Sequence, residues 1–117
     1  MDKETLARLG IQYDEGVARF AGQPALYEKY LLRMPQDLTF SLLRQAVAEK
    51  NGREAFFQAH TLKGILGNLS LTALYQELSP LVERLRHLED PTALAGELSV
   101  FGVHFEQTMA ALRGQQP

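Results

Sequence analysis

Residues 55–69 read AFFQAHTLKGILGNL, and this stretch decides the fold. Its apolar residues recur at alternating intervals of four and three, which is the spacing of one face of an α-helix. The residues of this stripe are Ala55, Ala59, Leu62, Leu66 and Leu69. If the stripe is buried, His60 points about 140° away from its centre, towards solvent. The pattern therefore predicts an amphipathic helix that displays an imidazole on its exposed face.

Three further residues share the face of His60. At about 100° per residue, Lys63, Gly64 and Gly67 fall on the same side of the helix as the histidine. Glycine in a helix interior costs up to ~1 kcal/mol relative to alanine, so glycines here indicate close approach of another molecule to the backbone. Gly67 with Asn68 is equally consistent with the end of the helix, and both interpretations stay open.

Glycine, proline and asparagine divide the rest of the sequence into further helices, and no strand pattern is present. Four segments of helical periodicity are predicted at residues 36–50, 53–67, 71–88 and 92–112. Short helices are predicted before them, at residues 3–9, 13–20 and 24–34. Helices joined by short loops pack antiparallel. The predicted fold class is therefore all-α, an antiparallel up-down-up-down four-helix bundle with short N-terminal capping helices, in a single domain spanning residues 1–117.

Segments 71–88 and 36–50 each contain a regular pattern of apolar residues. Segment 71–88 has leucines at a regular three-four spacing on both sides of Pro80, which predicts one kinked helix rather than two. We interpret the leucines as core, not as a dimerising zipper, and expect a monomer. Segment 36–50 carries two apolar rows, Phe40, Leu43 and Val47 beside Leu38, Leu42 and Ala46.

Composition excludes several classes of protein. The 117 residues are 45% hydrophobic and 22% charged, as in ordinary soluble domains. The chain has no cysteine, which rules out disulfides and thiolate metal sites. A net charge of −2 gives no support to binding of nucleic acid or anionic membranes. The charged N-terminus does not resemble a signal peptide, and no apolar run approaches the ~20 residues of a membrane span. We expect a cytoplasmic protein.

The segment HTLKGILGNL, residues 60–69, resembles the active-site signature of histidine-containing phosphotransfer domains. A similar glycine-rich lead-in stands upstream, in Gly10-Ile11, Gly16, Arg19-Phe20 and Gly22. The resemblance covers about residues 6–87. It implies a phosphorelay carrier that accepts a phosphoryl group on His60 from a receiver-domain aspartate or a histidine kinase and passes it to another response regulator. The implied partners are response-regulator receiver domains and hybrid histidine kinases.

The residues themselves suit this chemistry. Neutral imidazole attacks phosphorus through a ring nitrogen, and Lys63 can neutralise phosphate oxygens as a compact charge. Gly64 and Gly67 give a partner access to the backbone. Phe57 and Ile65 are either part of the core, which is the commoner case for such residues, or an apolar docking patch for the partner. No metal ligands or cofactor are predicted, and Mg²⁺ is expected to come with the partner receiver. Such a protein is a phosphotransfer intermediate rather than a turnover enzyme.

Three positions depart from the family pattern. Ile65 stands where a small residue is common, and Ser70 stands where glycine is common. Val82, followed by Glu83, lies near the place where many relatives offer a Gln or Glu hydrogen bond to the imidazole. These departures favour an alternative, a helical adaptor that binds and regulates a kinase or receiver domain without carrying phosphate.

A hydrolase with His60 as base ranks last, because the sequence offers no nucleophile or metal-ligand spacing to accompany it. The other two histidines, His87 and His104, are interpreted as ordinary surface or core residues.

Overall fold

The computed structural model describes residues 1–116, and Pro117, the last residue of the predicted domain, lies outside them. Within residues 1–116 the chain is all-helical, as predicted, with no strand and a single β-bridge between Ile11 and Leu71. No helix in this range is both long and apolar enough to cross a membrane. The helices are α1 (Lys3–Arg8), α2 (Tyr13–Arg19), α3 (Pro24–Arg33), α4 (Thr39–Ala48), α5 (Gly52–Asn68), α6 (Thr72–Leu85) and α7 (Ala95–Arg113), with 3₁₀ turns at Met34–Gln36 and Pro91–Leu94.

Most of the buried core lies between α4, α5, α6 and α7, and α1 and α3 add Leu6, Tyr27 and Leu31 to it. α5 packs against α4 on one side and α6 on the other, and α6 packs against α7. The ring of Phe40 on α4 lies against two rings of α7, with centroid distances of 5.4 Å to Phe101 and 4.8 Å to Phe105. All five residues of the α5 stripe are buried. This burial orients α5 and leaves its opposite face towards solvent.

The N-terminal segment is attached to the turn between α5 and α6. Gly10 adopts φ +76° and lies so close to Ala73 that a side chain would not fit. Its carbonyl oxygen accepts a hydrogen bond from the Ala73 amide at 3.2 Å. The Gln12 amide, just before α2, donates to the Ser70 carbonyl oxygen at 3.0 Å. These backbone contacts hold α2 beside the end of the α5–α6 pair.

Tyr27 ties α3 to the same end of the molecule. Its side chain is fully buried, and its hydroxyl donates to the Leu69 carbonyl oxygen at 2.7 Å. The edge of its ring meets the ring of Tyr13, with a centroid distance of 5.6 Å. Burial raises the pKa of Tyr27 to about 12. The buried hydroxyl therefore satisfies a carbonyl group at the end of α5 that the helix itself leaves unpaired.

Helix bounds follow the caps that the sequence supplies. α5 begins at Gly52 because the Asn51 side chain accepts a hydrogen bond from the Glu54 amide at 3.1 Å. α6 runs without interruption through Pro80, which confirms a single helix, but it ends at Leu85 and leaves Leu88 beyond it.

The predicted start of α4 was wrong. The helix begins at Thr39 rather than residue 36, because the Asp37 carboxylate accepts a hydrogen bond from the Thr39 amide at 2.8 Å. The sequence left open which apolar row of α4 is buried: Leu38 and Leu42 are 68% and 45% exposed, whereas Ala46 of the same row is buried. Leu38 precedes the helix and Leu42 falls on its outer side, whereas Phe40 and its row are turned to the core.

Candidate functional site

His60 lies in the middle of α5 with its side chain exposed, as the stripe predicts. Ala59 and Leu62, on either side of it, are fully buried. The ring of Phe56, one turn earlier, lies 5.8 Å from the imidazole between ring centroids. The imidazole is therefore supported by an aromatic neighbour and open to solvent.

The imidazole borders a cleft of about 430 Å³. The wall formed by α5 contains, besides His60, the residues Lys63, Gly64, Gly67 and Asn68. The facing walls come from α2, through Glu15 and Arg19, and from α6, through Thr72, Tyr75 and Gln76. The structure thus brings together the four residues that the sequence placed on one helix face.

The two glycines of this face differ in their surroundings. Apart from the adjacent residues and backbone of α5 itself, no described atom lies within 4 Å of the position that a Cβ atom at Gly64 would occupy. At Gly67 the same position is 3.1 Å from the ring of Tyr75. α5 ends at Asn68, so Gly67 and Asn68 are its last two residues, and the helix ends at this pair as the second interpretation predicts. Gly64 therefore leaves the backbone open, while Gly67 makes room for Tyr75.

Lys63 lies over this aromatic wall, with its Nζ 5.7 Å from the centroid of the Tyr75 ring. A cation over a ring face is attracted by the quadrupole of the ring.

Glu83 on α6 is paired with Arg86, whose Nε and terminal nitrogen each donate to its carboxylate at 3.3 Å. These hydrogen bonds lower the pKa of Glu83, and Lys63 adds a smaller contribution.

The orienting bond to the imidazole that the family resemblance implies is not available from Val82. Its side chain is fully buried and carries no polar atom. The neighbouring Glu83 is paired with Arg86, and the Arg86 guanidinium lies 4.7 Å from the centroid of the Phe56 ring. The Phe56 ring therefore lies next to both the Arg86 guanidinium and the His60 imidazole.

The structure does not join Phe57 and Ile65 into one patch. Phe57 is 59% exposed and lies outside the His60 cleft. Ile65 is half-buried and faces a different cleft, which it shares with Phe20 and Tyr30. The two residues lie on separate surfaces of α5, so only Phe57 is an exposed apolar residue near the histidine.

The sequence interpretation did not assign Glu15 and Arg19 to the site. Arg19 donates from Nε to Glu15 Oε1 at 3.2 Å, and Ser70 Oγ donates to the same oxygen at 3.2 Å. The available signal was their four-residue spacing, which pairs opposite charges on a helix. That spacing does not reveal that α2 lies beside α5, so the cleft could not be completed from the sequence.

The remaining titratable groups lie elsewhere. Residues 1–116 contain no group of three or more His, Asp or Glu side chains arranged to hold a metal ion. His104 is exposed on α7, where its Nδ1 lies 2.7 Å from Glu77 Oε2. His87 is exposed just after α6. Neither of these two histidines lines the His60 cleft.

Chemically, one open cleft is lined by the His60 imidazole, the Lys63 ammonium group and the Arg19 guanidinium, the last of which is paired with the Glu15 carboxylate. Cations around a nucleophile favour attack on an anionic electrophile. No protein-family model matches this chain, and no curated protein or solved structure is significantly similar to it. Its function is therefore inferred from the chemistry of the cleft.

Proposed function

We propose that this protein is a phosphorelay carrier that accepts a phosphoryl group on His60 and passes it to another protein. The observation that carries the proposal is the exposed imidazole in a cleft shared with Lys63 and Arg19, next to the uncovered backbone at Gly64. The resemblance of residues 60–69 to histidine-containing phosphotransfer domains gives the same reaction. The partners are receiver domains of response regulators and hybrid histidine kinases.

The bonds that form and break in the proposed transfer involve only His60 of this protein and the aspartyl phosphate of its partner. The lone pair of a neutral ring nitrogen attacks phosphorus, the nitrogen–phosphorus bond forms, and the bond to the aspartate oxygen breaks. The aspartate leaves as a carboxylate and the other ring nitrogen keeps its proton. Lys63 offsets the charge of the equatorial phosphate oxygens. The Mg²⁺ that assists such transfers comes with the receiver domain in this proposal.

The proposed architecture is the antiparallel four-helix bundle of α4–α7, capped at one end by α1–α3. The sequential packing of α4 on α5, α5 on α6 and α6 on α7 supports it. Phe40 of α4 contacts Phe101 and Phe105 of α7, so each of the four helices packs against two of the others. A helix in such a bundle keeps its outer face free, and this is the face on which α5 carries His60.

The same face suits docking of a globular partner. Gly64 offers no side chain to obstruct an approaching loop, and Phe57 offers exposed apolar area one turn before His60. An active-site loop of a receiver must bring its aspartyl phosphate to in-line distance of the imidazole. A bare helix surface beside the nucleophile permits that approach.

The proposal is tested by transfer of radiolabelled phosphate from a receiver domain charged with acetyl phosphate and Mg²⁺. We expect an acid-labile, base-stable label on the wild-type chain and none on His60→Gln. His104→Gln is the matched control, because that histidine is also exposed and lies on α7. Equal labelling of His60→Gln and wild type would contradict the proposal.

The adaptor alternative has one observation in its favour, the buried apolar Val82 where an orienting polar residue was expected. It predicts that the chain binds a receiver or kinase with unchanged affinity after His60→Ala and takes no label from any donor. Binding measured by titration calorimetry on the same samples as the labelling assay separates the two functions.

A further inference from the structure

Arg19 is a cation of the His60 cleft to which the transfer steps above assign no contact with the phosphoryl group. It lies on α2, outside the α5 signature, and its side chain is 50% exposed. It borders the same cleft as His60 and Lys63. Lys63 comes from α5 and Arg19 from α2, so the two cations approach the cleft from different helices.

Arg19 is held by a short series of hydrogen bonds. Glu15 Oε1 accepts from Arg19 Nε and from Ser70 Oγ, both at 3.2 Å. A terminal guanidinium nitrogen of Arg19 lies 3.2 Å from the same oxygen. Because these contacts use Nε and one terminal nitrogen, the other terminal nitrogen is left for a ligand. Glu15 thus limits the positions that the guanidinium can take without blocking it.

Ser70 is an unusual anchor for this series. It is 1% exposed and adopts φ +57°, in the left-handed region that favours glycine. Glycine would remove the strain but would also remove the hydroxyl that bonds to Glu15. The serine at this turn therefore accepts backbone strain and connects the end of α5 to the helix that carries Arg19.

We propose that Arg19 is a second phosphate-binding residue of the His60 site, positioned from α2 by Glu15 and Ser70. The inference rests on the proposed function for its ligand, the phosphoryl group on His60. The terminal nitrogen of Arg19 that Glu15 leaves open carries two N–H groups in the guanidinium plane and can donate to phosphate oxygens, whereas Lys63 acts as a point charge. Together they bind the phosphoryl oxygens from two sides of the cleft.

The test titrates the free protein with inorganic phosphate and monitors the NMR signals of Arg19 Nε and the His60 ring. A parallel titration with chloride at the same ionic strength is the reference. In the wild type we expect both signals to saturate with one dissociation constant. Arg19→Gln should weaken binding about two- to fivefold, the range of an exposed charge pair. Arg44→Gln makes the same charge change on the α4–α7 side, away from this cleft, and should leave the constant unchanged.

Two variants at Ser70 test the positioning role separately from folding. Ser70→Gly and Ser70→Ala both remove the hydroxyl, but only glycine relieves the positive φ. We expect both to weaken phosphate binding and to shift the urea midpoint in opposite directions, upwards for glycine. Phosphate affinity that instead rises in Ser70→Gly and falls in Ser70→Ala, in step with stability, would refute the positioning role.

The outcomes separate this inference from the carrier function. Unchanged phosphate binding in Arg19→Gln, or no binding by the wild type, overturns the role of Arg19 whatever the labelling assay shows. Phosphate binding that depends on Arg19, in a chain that takes no label on His60, supports the anion site and overturns the carrier. Both results are obtained from the same preparations.

Discussion

Gly16 of α2 lies against the ring of Tyr27 on α3, so closely that a side chain at position 16 would overlap the ring. The ring has no room to move away, because it is fully buried and its hydroxyl is bonded to the Leu69 carbonyl oxygen. This contact fixes how α2 lies on α3. It therefore also fixes where Arg19 stands relative to the His60 cleft.

Gly16→Ala should destabilise the protein by about 1–3 kcal/mol, because the added methyl group forces α2 away from Tyr27. The free energy of unfolding in urea measures this loss. Gly96→Ala on α7 is the control, since no described atom outside the adjacent part of α7 lies within 4 Å of its Cβ position. A destabilisation of equal size in both variants would show that the Tyr27 contact is not its cause.

Gly64→Ala should act on stability and on transfer in opposite directions. The free chain should gain about 0.5–1 kcal/mol, because alanine is the better residue in a helix interior and the position is open. Phosphoryl transfer from a receiver should slow, because the methyl group stands where a partner loop approaches. Urea unfolding and rapid-quench labelling measure the two effects. Gly96→Ala should show no slowing, and unaltered transfer in Gly64→Ala would mean that this backbone is not approached.

Stability should fall at alkaline pH as tyrosines ionise. Burial raises the pKa of Tyr27 to about 12, and the hydrogen bond to Glu28 raises that of Tyr13 to about 12, from an ordinary value of 10.0. A raised pKa means that the folded state holds the phenol proton more tightly. The stability that the protonated Tyr27 and Tyr13 phenols contribute is fully present below about pH 10 and is lost as pH rises towards about 12. The melting temperature should fall over this window.

Tyr27→Phe provides the comparison for that pH dependence. It should cost about 1–3 kcal/mol near neutral pH, because the Leu69 carbonyl oxygen loses its donor. It should also reduce the decline of the melting temperature between about pH 10 and about pH 12. A decline as steep as in the wild type would exclude Tyr27 as a source.

Lys50, after α4, adopts φ +57° like Ser70. Lys50→Gly should raise the free energy of unfolding by about 0.5–1 kcal/mol, because glycine adopts this conformation without a steric cost. Lys50→Ala keeps the Cβ atom and removes the same charge, so it should give no such gain. If both variants gain equally in urea unfolding, the charge is responsible and the backbone is not.

The helix that carries His60 could be predicted from its own residues. Its stripe repeats over fifteen residues and Asn51 supplies a cap, so local spacing alone determines which side is buried. The rows of α4 were harder to interpret. Leu38 and Leu42 are as apolar as Leu43, and the cap at Asp37 that excludes Leu38 from the helix has no effect on periodicity.

The second wall of the cleft could not be predicted. Gly10 and Gly16 indicate that something packs closely on the N-terminal helices, but a glycine does not identify its neighbour. The positions of Glu15 and Arg19 depend on contacts with Ser70, more than fifty residues away in sequence. Such contacts arise from the docking of α2 on the α5–α6 turn, which no local pattern describes.

The uncovered backbone at Gly64 also makes the molecule convenient to label. The sequence contains no cysteine, so Gly64→Cys would carry its single thiol. A short photoreactive group attached there stands one turn from His60 and can reach only surfaces that come within a few atoms of the imidazole. The residues that it captures on a bound partner would map that partner's contact face, one crosslinked peptide at a time.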